Sequence, residues 1–151
     1  MTIGNMEKRG GNAVEDLAHA ALEAFRADAP REYAELVKEY EGQGAVVGIF
    51  GMGSVDIAVS GGEVRVGESA TQGKAKMVAR AATYPETIVA MSNGEVSPLE
   101  AFHAGELVVR APSEELHKAF GYLVKFSDVA LGSKGLQRVL TRFKEQARIN
   151  K

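Results

Sequence analysis

The chain has no cysteine, so it has no disulfide framework, no thiolate nucleophile and no cysteine-ligated metal. It has only three histidines, too few to leave much room for a structural zinc site. No two of them share helical ligand spacing with a carboxylate, so no metal is expected. Tryptophan is absent, and Phe and Tyr together make up 7% of the residues. Neither sign of charge dominates: 18 Lys and Arg face 20 Asp and Glu, for a net charge of −2. Binding nucleic acid through overall charge needs a basic surplus, so nucleic acid is not an expected partner. Long apolar runs are missing too. The longest is Ala45-Val46-Val47-Gly48-Ile49-Phe50, too short to cross a bilayer. Met1-Thr2-Ile3-Gly4-Asn5 lacks the apolar core of a secretory signal, so a cytoplasmic location is expected.

What is present suits one globular domain. The 151 residues are 45% apolar and 25% charged. A chain of this length buries about 68–70% of its unfolded surface, enough for a core without covalent staples. Glycine is in excess, 17 of 151 or about 11%, where about 7% is usual. Residues 1–12 are polar and include Gly10-Gly11, which predicts a mobile end. Residues 13–151 then form the domain.

The hydrophobic period marks the elements. Val14, Leu17, Ala18, Ala21, Leu22 and Phe25 form one helical stripe from Ala13 to about Ala27. Asp28 and Pro30 predict the cap and first turn of a second helix, carrying Tyr33, Leu36, Val37 and Tyr40. The period then falls to two. Ala45–Met52 is nearly all apolar and predicts a strand buried on both faces. Val55, Ile57 and Val59 alternate with polar or small residues in a second strand, and Gly61-Gly62 predicts a hairpin into Glu63–Val66. A loop through Thr71-Gln72-Gly73 leads to a strand over Lys74–Ala81. There Ala75, Met77 and Ala79 share one face, and Lys74, Lys76 and Arg80 the other. Tyr84-Pro85 opens a helix that ends at Asn93-Gly94. Ser97-Pro98-Leu99-Glu100 has capping-box spacing for a short one. Glu106–Ala111 predicts a strand. Ser113 caps a long helix with Leu116, Ala119, Phe120, Leu123 and Val124 buried, and a final helix spans about 133–147. The strand after Gly105 follows a helical excursion, which allows one parallel pairing. The class is α+β, a sheet covered by helices.

The stretch Pro98-Leu99-Glu100-Ala101-Phe102-His103-Ala104-Gly105-Glu106-Leu107-Val108-Val109 resembles a signature of the type-two sterol carrier protein family, with Pro, Ala-Phe, Gly and Leu-x-Val at the right spacing. The lead-in Ser92-Asn93-Gly94-Glu95-Val96 and the upstream meander also resemble that family. The likeness covers roughly residues 30–126. It implies a five-stranded mixed, mostly antiparallel sheet packed against helices. It also implies an apolar tunnel for a fatty acyl chain, sterol or other hydrophobic molecule, with no cofactor and no chemistry. Three departures stand out. His103 replaces a usually apolar residue, Ala111-Pro112 replaces a glycine after the strand, and the helix at about 133–147 is additional.

Each chemical candidate has a plainer structural reading beside it. His103 is either a helix residue with one partner or a cavity residue facing a ligand head. Histidine titrates near neutral pH, so the second role would make binding pH-dependent. Asp56 alternates outward, solvated or paired with Arg65 across the strand. Gly51-Met52-Gly53-Ser54 and Gly61-Gly62 precede no helix, so they are turns rather than phosphate loops. Lys74, Lys76 and Arg80 form a solvated face that would also suit transient contact with an anionic membrane. Gly48 and Gly51 fall in the apolar strand, where a missing side chain means a bend, a bulge or room for an approaching group.

The candidate ligand-binding residues are Ile57, Val59, Met77, Met91, Phe102, His103, Phe120 and Leu123. The expected partner is a lipid or other hydrophobic small molecule, bound without a covalent step. The alternatives are an accessory or scaffold protein that presents a hydrophobic substrate to a partner enzyme or acts through a protein interface, including a homo-oligomer built on the last helix, and an enzyme that uses His103 with a carboxylate. Sequence alone does not separate a tunnel from a closed core.

Overall fold

A computed structural model describes residues 2–67, 70 and 75–148, with side chains described from Ala13 onward. The helices are α1 (Thr2–Asp28), α2 (Pro30–Tyr40), α3 (Pro85–Ser92), α4 (Pro98–His103), α5 (Ser113–Gly132) and α6 (Lys134–Ala147). The strands are β1 (Gln43–Ile49), β2 (Gly53–Ser60), β3 (Glu63–Val66), β4 (Lys76–Thr83) and β5 (Leu107–Arg110). The helix expected from Ala13 starts at Thr2. The expected loop through Thr71-Gln72-Gly73, and Lys74 with it, lies outside the described residues.

The strands form one mixed sheet in the order β3-β2-β1-β4-β5. The meander β1-β2-β3 is antiparallel, and β5 is antiparallel to β4. The single parallel pair is β1 with β4. The parallel pairing expected for the strand after Gly105 is therefore found elsewhere. Two short helices, α3 and α4, reverse the chain between β4 and β5, so β5 returns antiparallel.

Register fixes which side chains share a face. Ala45 opposes Ile57 and Ala79, and Val47 opposes Val55 and Ala81. These residues, with Val59, Val64, Leu107 and Val109, face the helices. On the opposite face Val46 lies between Asp56 and Arg80. Those charged neighbours keep that face in water, so β1 is covered on one face only, not on both as its composition predicts.

A bulge in β4 shifts the phase of that strand. Gly44 opposes Met77, but the next residue, Ala45, opposes Ala79, so Val78 is the extra residue. Met77 is thereby turned to the open face, away from Ala79. Gly44 makes room for it. A Cβ there would sit 2.7 Å from the Ile57 carbonyl oxygen and 2.8 Å from Met77 Sδ. Gly48 has no such crowding, and Gly51 takes φ +82° in the β1–β2 turn. The constrained glycine of this strand is thus Gly44.

Local capping follows the sequence in part. Ser97 accepts from the Glu100 amide while Glu100 accepts from the Ser97 amide, closing the expected box. Ser113 is the first residue of α5 and not its cap, because Pro112 already holds that position. Asp28 does not cap α2. Its carboxylate accepts from Ser133 Oγ at 2.5 Å and from the Gly135 amide at 3.1 Å, tying the end of α1 to the start of α6. Arg65 pairs with Glu63 at 3.2 Å rather than with Asp56, and stands opposite Ala58 in the register.

The buried core is split along the sheet. Phe25, Tyr33, Ala130 and Leu136 join α1, α2, α5 and α6. Leu17, Val89, Leu140 and Phe143 join α1, α3 and α6. Ala101, Leu107 and Val109 form a third group against α5. The meander edge is fastened by Tyr33, whose hydroxyl accepts from the Val64 amide at 3.0 Å. Glu41 accepts from the Gly61 and Gly62 amides in the β2–β3 turn.

Candidate functional site

β1 is the central strand, yet none of its residues is fully buried. For the outward Val46 the open face explains this. For Ala45, Val47 and Ile49, which face the helices, it reflects empty space. Two apolar cavities lie between the sheet and its helical cover. One, of about 170 Å³, is walled by Val14, Leu17, Val47, Ile49, Val55, Leu140 and Phe143. The other, of about 200 Å³, is walled by Leu22, Leu36, Ala45, Val59, Val78 and Ala119. Ile57 lines both. Taken together they reach the lower end of the range for small-molecule sites, about 300–1,000 Å³.

The two cavities differ in their polar atoms. In the first, Gln137 is satisfied: its Nε2 donates to the Ala130 carbonyl at 2.7 Å. The second is also lined by Tyr40, Gln43, Glu115 and Tyr122. Tyr40 Oη, Gln43 Oε1 and Glu115 Oε1 are shielded from solvent and have no hydrogen-bond partner among the described residues. Burying polar atoms unpaired is costly and uncommon; these three lie behind the wall of the second cavity, whose own surface is almost entirely apolar. The Tyr40 and Tyr122 rings meet edge to face, with centroids 4.9 Å apart.

The electrostatics here are negative. Burial, reinforced by Glu39, Tyr122 and Glu115, holds the Tyr40 phenol far above its ordinary range. Burial, then the charge of Glu39, pushes Tyr122 up to about 12. Tyr122 donates to Glu39 at 3.2 Å. Lys125 lies over the Tyr122 ring but is engaged by Glu35 at 2.9 Å.

The structure separates the eight sequence-derived candidates. Ile57 and Val59 line the cavities. Met91, Phe102, Phe120 and Leu123 pack together around Ala101, Leu107 and Val109, where they fill space beside β5 and line neither cavity described. The Phe102 and Phe120 rings are in edge contact with centroids at 5.0 Å. Met77 is 37% exposed on the open face. His103 is exposed at the end of α4, beside Phe102. His19 and His117 are exposed as well. Lys76 and Arg80 are both exposed; Arg80 stands on the open face, while Lys76 opposes Gln43.

Sequence reasoning missed Tyr40, Gln43, Glu115 and Tyr122. A signal existed. Gln43 falls in phase with the inward residues Ala45, Val47 and Ile49. Glu115, Ala119 and Tyr122 lie one turn apart on one face of α5.

A five-stranded mixed sheet in this strand order with helices on one face is the type-two sterol carrier protein fold. No protein-family model matches the chain, and no curated protein matches it. Among solved structures, it is similar to the UbiJ-SCP2 ubiquinone synthesis protein, with 15% identity, a TM-score of 0.52, and coverage of 82% of this chain and 93% of that one. Sterol carrier protein 2 from Yarrowia lipolytica, in its apo form, is 16% identical with a TM-score of 0.49 and coverage of 78% and 91%. The segment that resembles the family signature forms α4, the Gly105 turn and β5.

Proposed function

We propose that this protein binds a lipid or other hydrophobic small molecule between its sheet and helices and carries it without a covalent step. The observation that carries this reading is the empty, apolar space against the central strand, where a closed α+β core would be filled. Packed interiors hold few voids larger than a water molecule. Affinity comes from apolar contact with Ile57, Val59 and the walls of α1, α5 and α6. The likeness to sterol carrier structures supports the same reading at the level of fold.

The residues we assign to the ligand are Ile57, Val59, Val47, Leu22, Ala119 and Tyr122. The exposed histidines take no part. α6 is a wall of the first cavity through Leu140 and Phe143, so it belongs to the binding space. Protein purified from its host and extracted with organic solvent should release a stoichiometric hydrophobic molecule. Recovery of none, with no saturable binding of a neutral fluorescent acyl probe, would sink the carrier reading and leave an accessory role through a protein interface.

A further inference from the structure

We infer that a second copy of this chain docks on the outer stripe of α5, the two helices running antiparallel about a twofold axis between Tyr122 and Leu123. His117, Gly121, Val124, Asp128 and Leu131 are all the exposed residues from His117 to Leu131. Their alternating steps of four and three hold them within about 80° of the helix circumference, the spacing of a seam between paired helices. Val124 is 43% exposed and Leu131 53%. Of the twenty residues of α5 only Ala130 is fully buried by the chain itself. The last helix, α6, differs: it buries Leu136, Leu140 and Phe143 within its own copy, so its apolar face is already used.

The stripe is complementary to itself, and only when antiparallel. His117 then faces Asp128 of the second copy and Gly121 faces Val124, each pair occurring twice. An imidazole N–H donates to a carboxylate whether the ring is neutral or charged. Neither side chain has a hydrogen-bond or ion-pair partner among the described residues. Parallel pairing would set Asp128 against Asp128, which like charges oppose. Gly121 supplies the second argument. It stands inside a helix, where glycine is unfavourable, and nothing in its own chain asks for it: a Cβ there would meet no atom within 4 Å. Opposite Val124 of a second copy, the missing side chain gives the valine its hole. The flanking Lys125 is engaged by Glu35 and leaves no free charge at the seam.

The test is sedimentation equilibrium of the intact chain. Five seam residues per copy make a small interface, so a monomer–dimer equilibrium should appear within about 10 μM to 1 mM. Gly121→Glu puts a better helix former at an exposed position, which keeps the fold, and should weaken association at least about tenfold. Asp128→Lys should weaken it as well. Adding His117→Glu to Asp128→Lys should restore it, through a Glu–Lys pair in the same two places. A monomer at every concentration up to about 1 mM overturns the inference and leaves the carrier reading untouched, because the two rest on different residues. A dimer that Gly121→Glu leaves undiminished overturns it too. So does a double variant that stays monomeric while its circular dichroism shows a folded chain, since the antiparallel register requires the recovery.

Discussion

Gln43 and Gly44 are adjacent residues of one strand with opposite constraints. Gln43 buries an oxygen that finds no partner among the described residues. Replacing it by leucine removes an unpaired acceptor and should stabilise the unliganded protein by about 1–2 kcal/mol, read by denaturant unfolding. A loss of stability would show that the oxygen is satisfied. Gly44 has no room for a side chain: the nearest atom a Cβ would meet is backbone, the Ile57 carbonyl oxygen at 2.7 Å. Gly44→Ala should therefore cost about 1–3 kcal/mol, the range for forced overpacking. At this scale the sequence was only partly legible. The inward phase of Gln43 can be read from Ala45, Val47 and Ile49. The outward turn of Met77 cannot, because a one-residue bulge at Val78 leaves no mark in an alternating pattern of small and apolar residues.

At the scale of elements, caps and turns were legible because their chemistry is local. The Ser97–Glu100 box and Pro85 at the start of α3 stand where the spacing puts them. Long-range pairings were not. Asp28 reads locally as the cap of α2, yet it serves Ser133 and Gly135, more than a hundred residues away. Ser133 also caps α6 by accepting from the Leu136 amide at 3.0 Å. Ser133→Ala should cost about 0.5–2 kcal/mol in thermal or denaturant unfolding. The hydrogen bond from Ser133, then that from Gly135, holds the Asp28 carboxyl below its ordinary value of 3.8. A carboxyl depressed in the folded state contributes stability above its unfolded pKa and loses it as pH falls through the folded one. Asp28→Asn should thus destabilise the protein at neutral pH, and the gap from the unmodified chain should close as the pH falls below about 3.8. A constant gap across that window, followed by thermal melting, would contradict the lock between α1 and α6.

At the scale of the whole molecule, the fold was legible because one signature, Pro98 to Val109, spans a helix, a turn and a strand in a fixed relation. The binding space was not. The apolar residues of a tunnel and of a closed core are the same types at the same periods. Met91, Phe102, Phe120 and Leu123 close the core beside β5, while Val47, Ile57 and Val59, of equal hydrophobicity, border empty volume. Which apolar residues touch each other and which leave a gap depends on how far helices stand from the sheet, and no single segment encodes that distance. The central claim is that this gap exists and holds a ligand. It is tested most directly by filling the gap with Ala119→Phe and following both stability and binding of a neutral long-chain alcohol probe. The cavity predicts that the variant is as stable as the unmodified protein or more so, and that saturable binding disappears. A variant destabilised by the about 1–3 kcal/mol that overpacking costs a filled core, with no binding by the unmodified protein either, would contradict it.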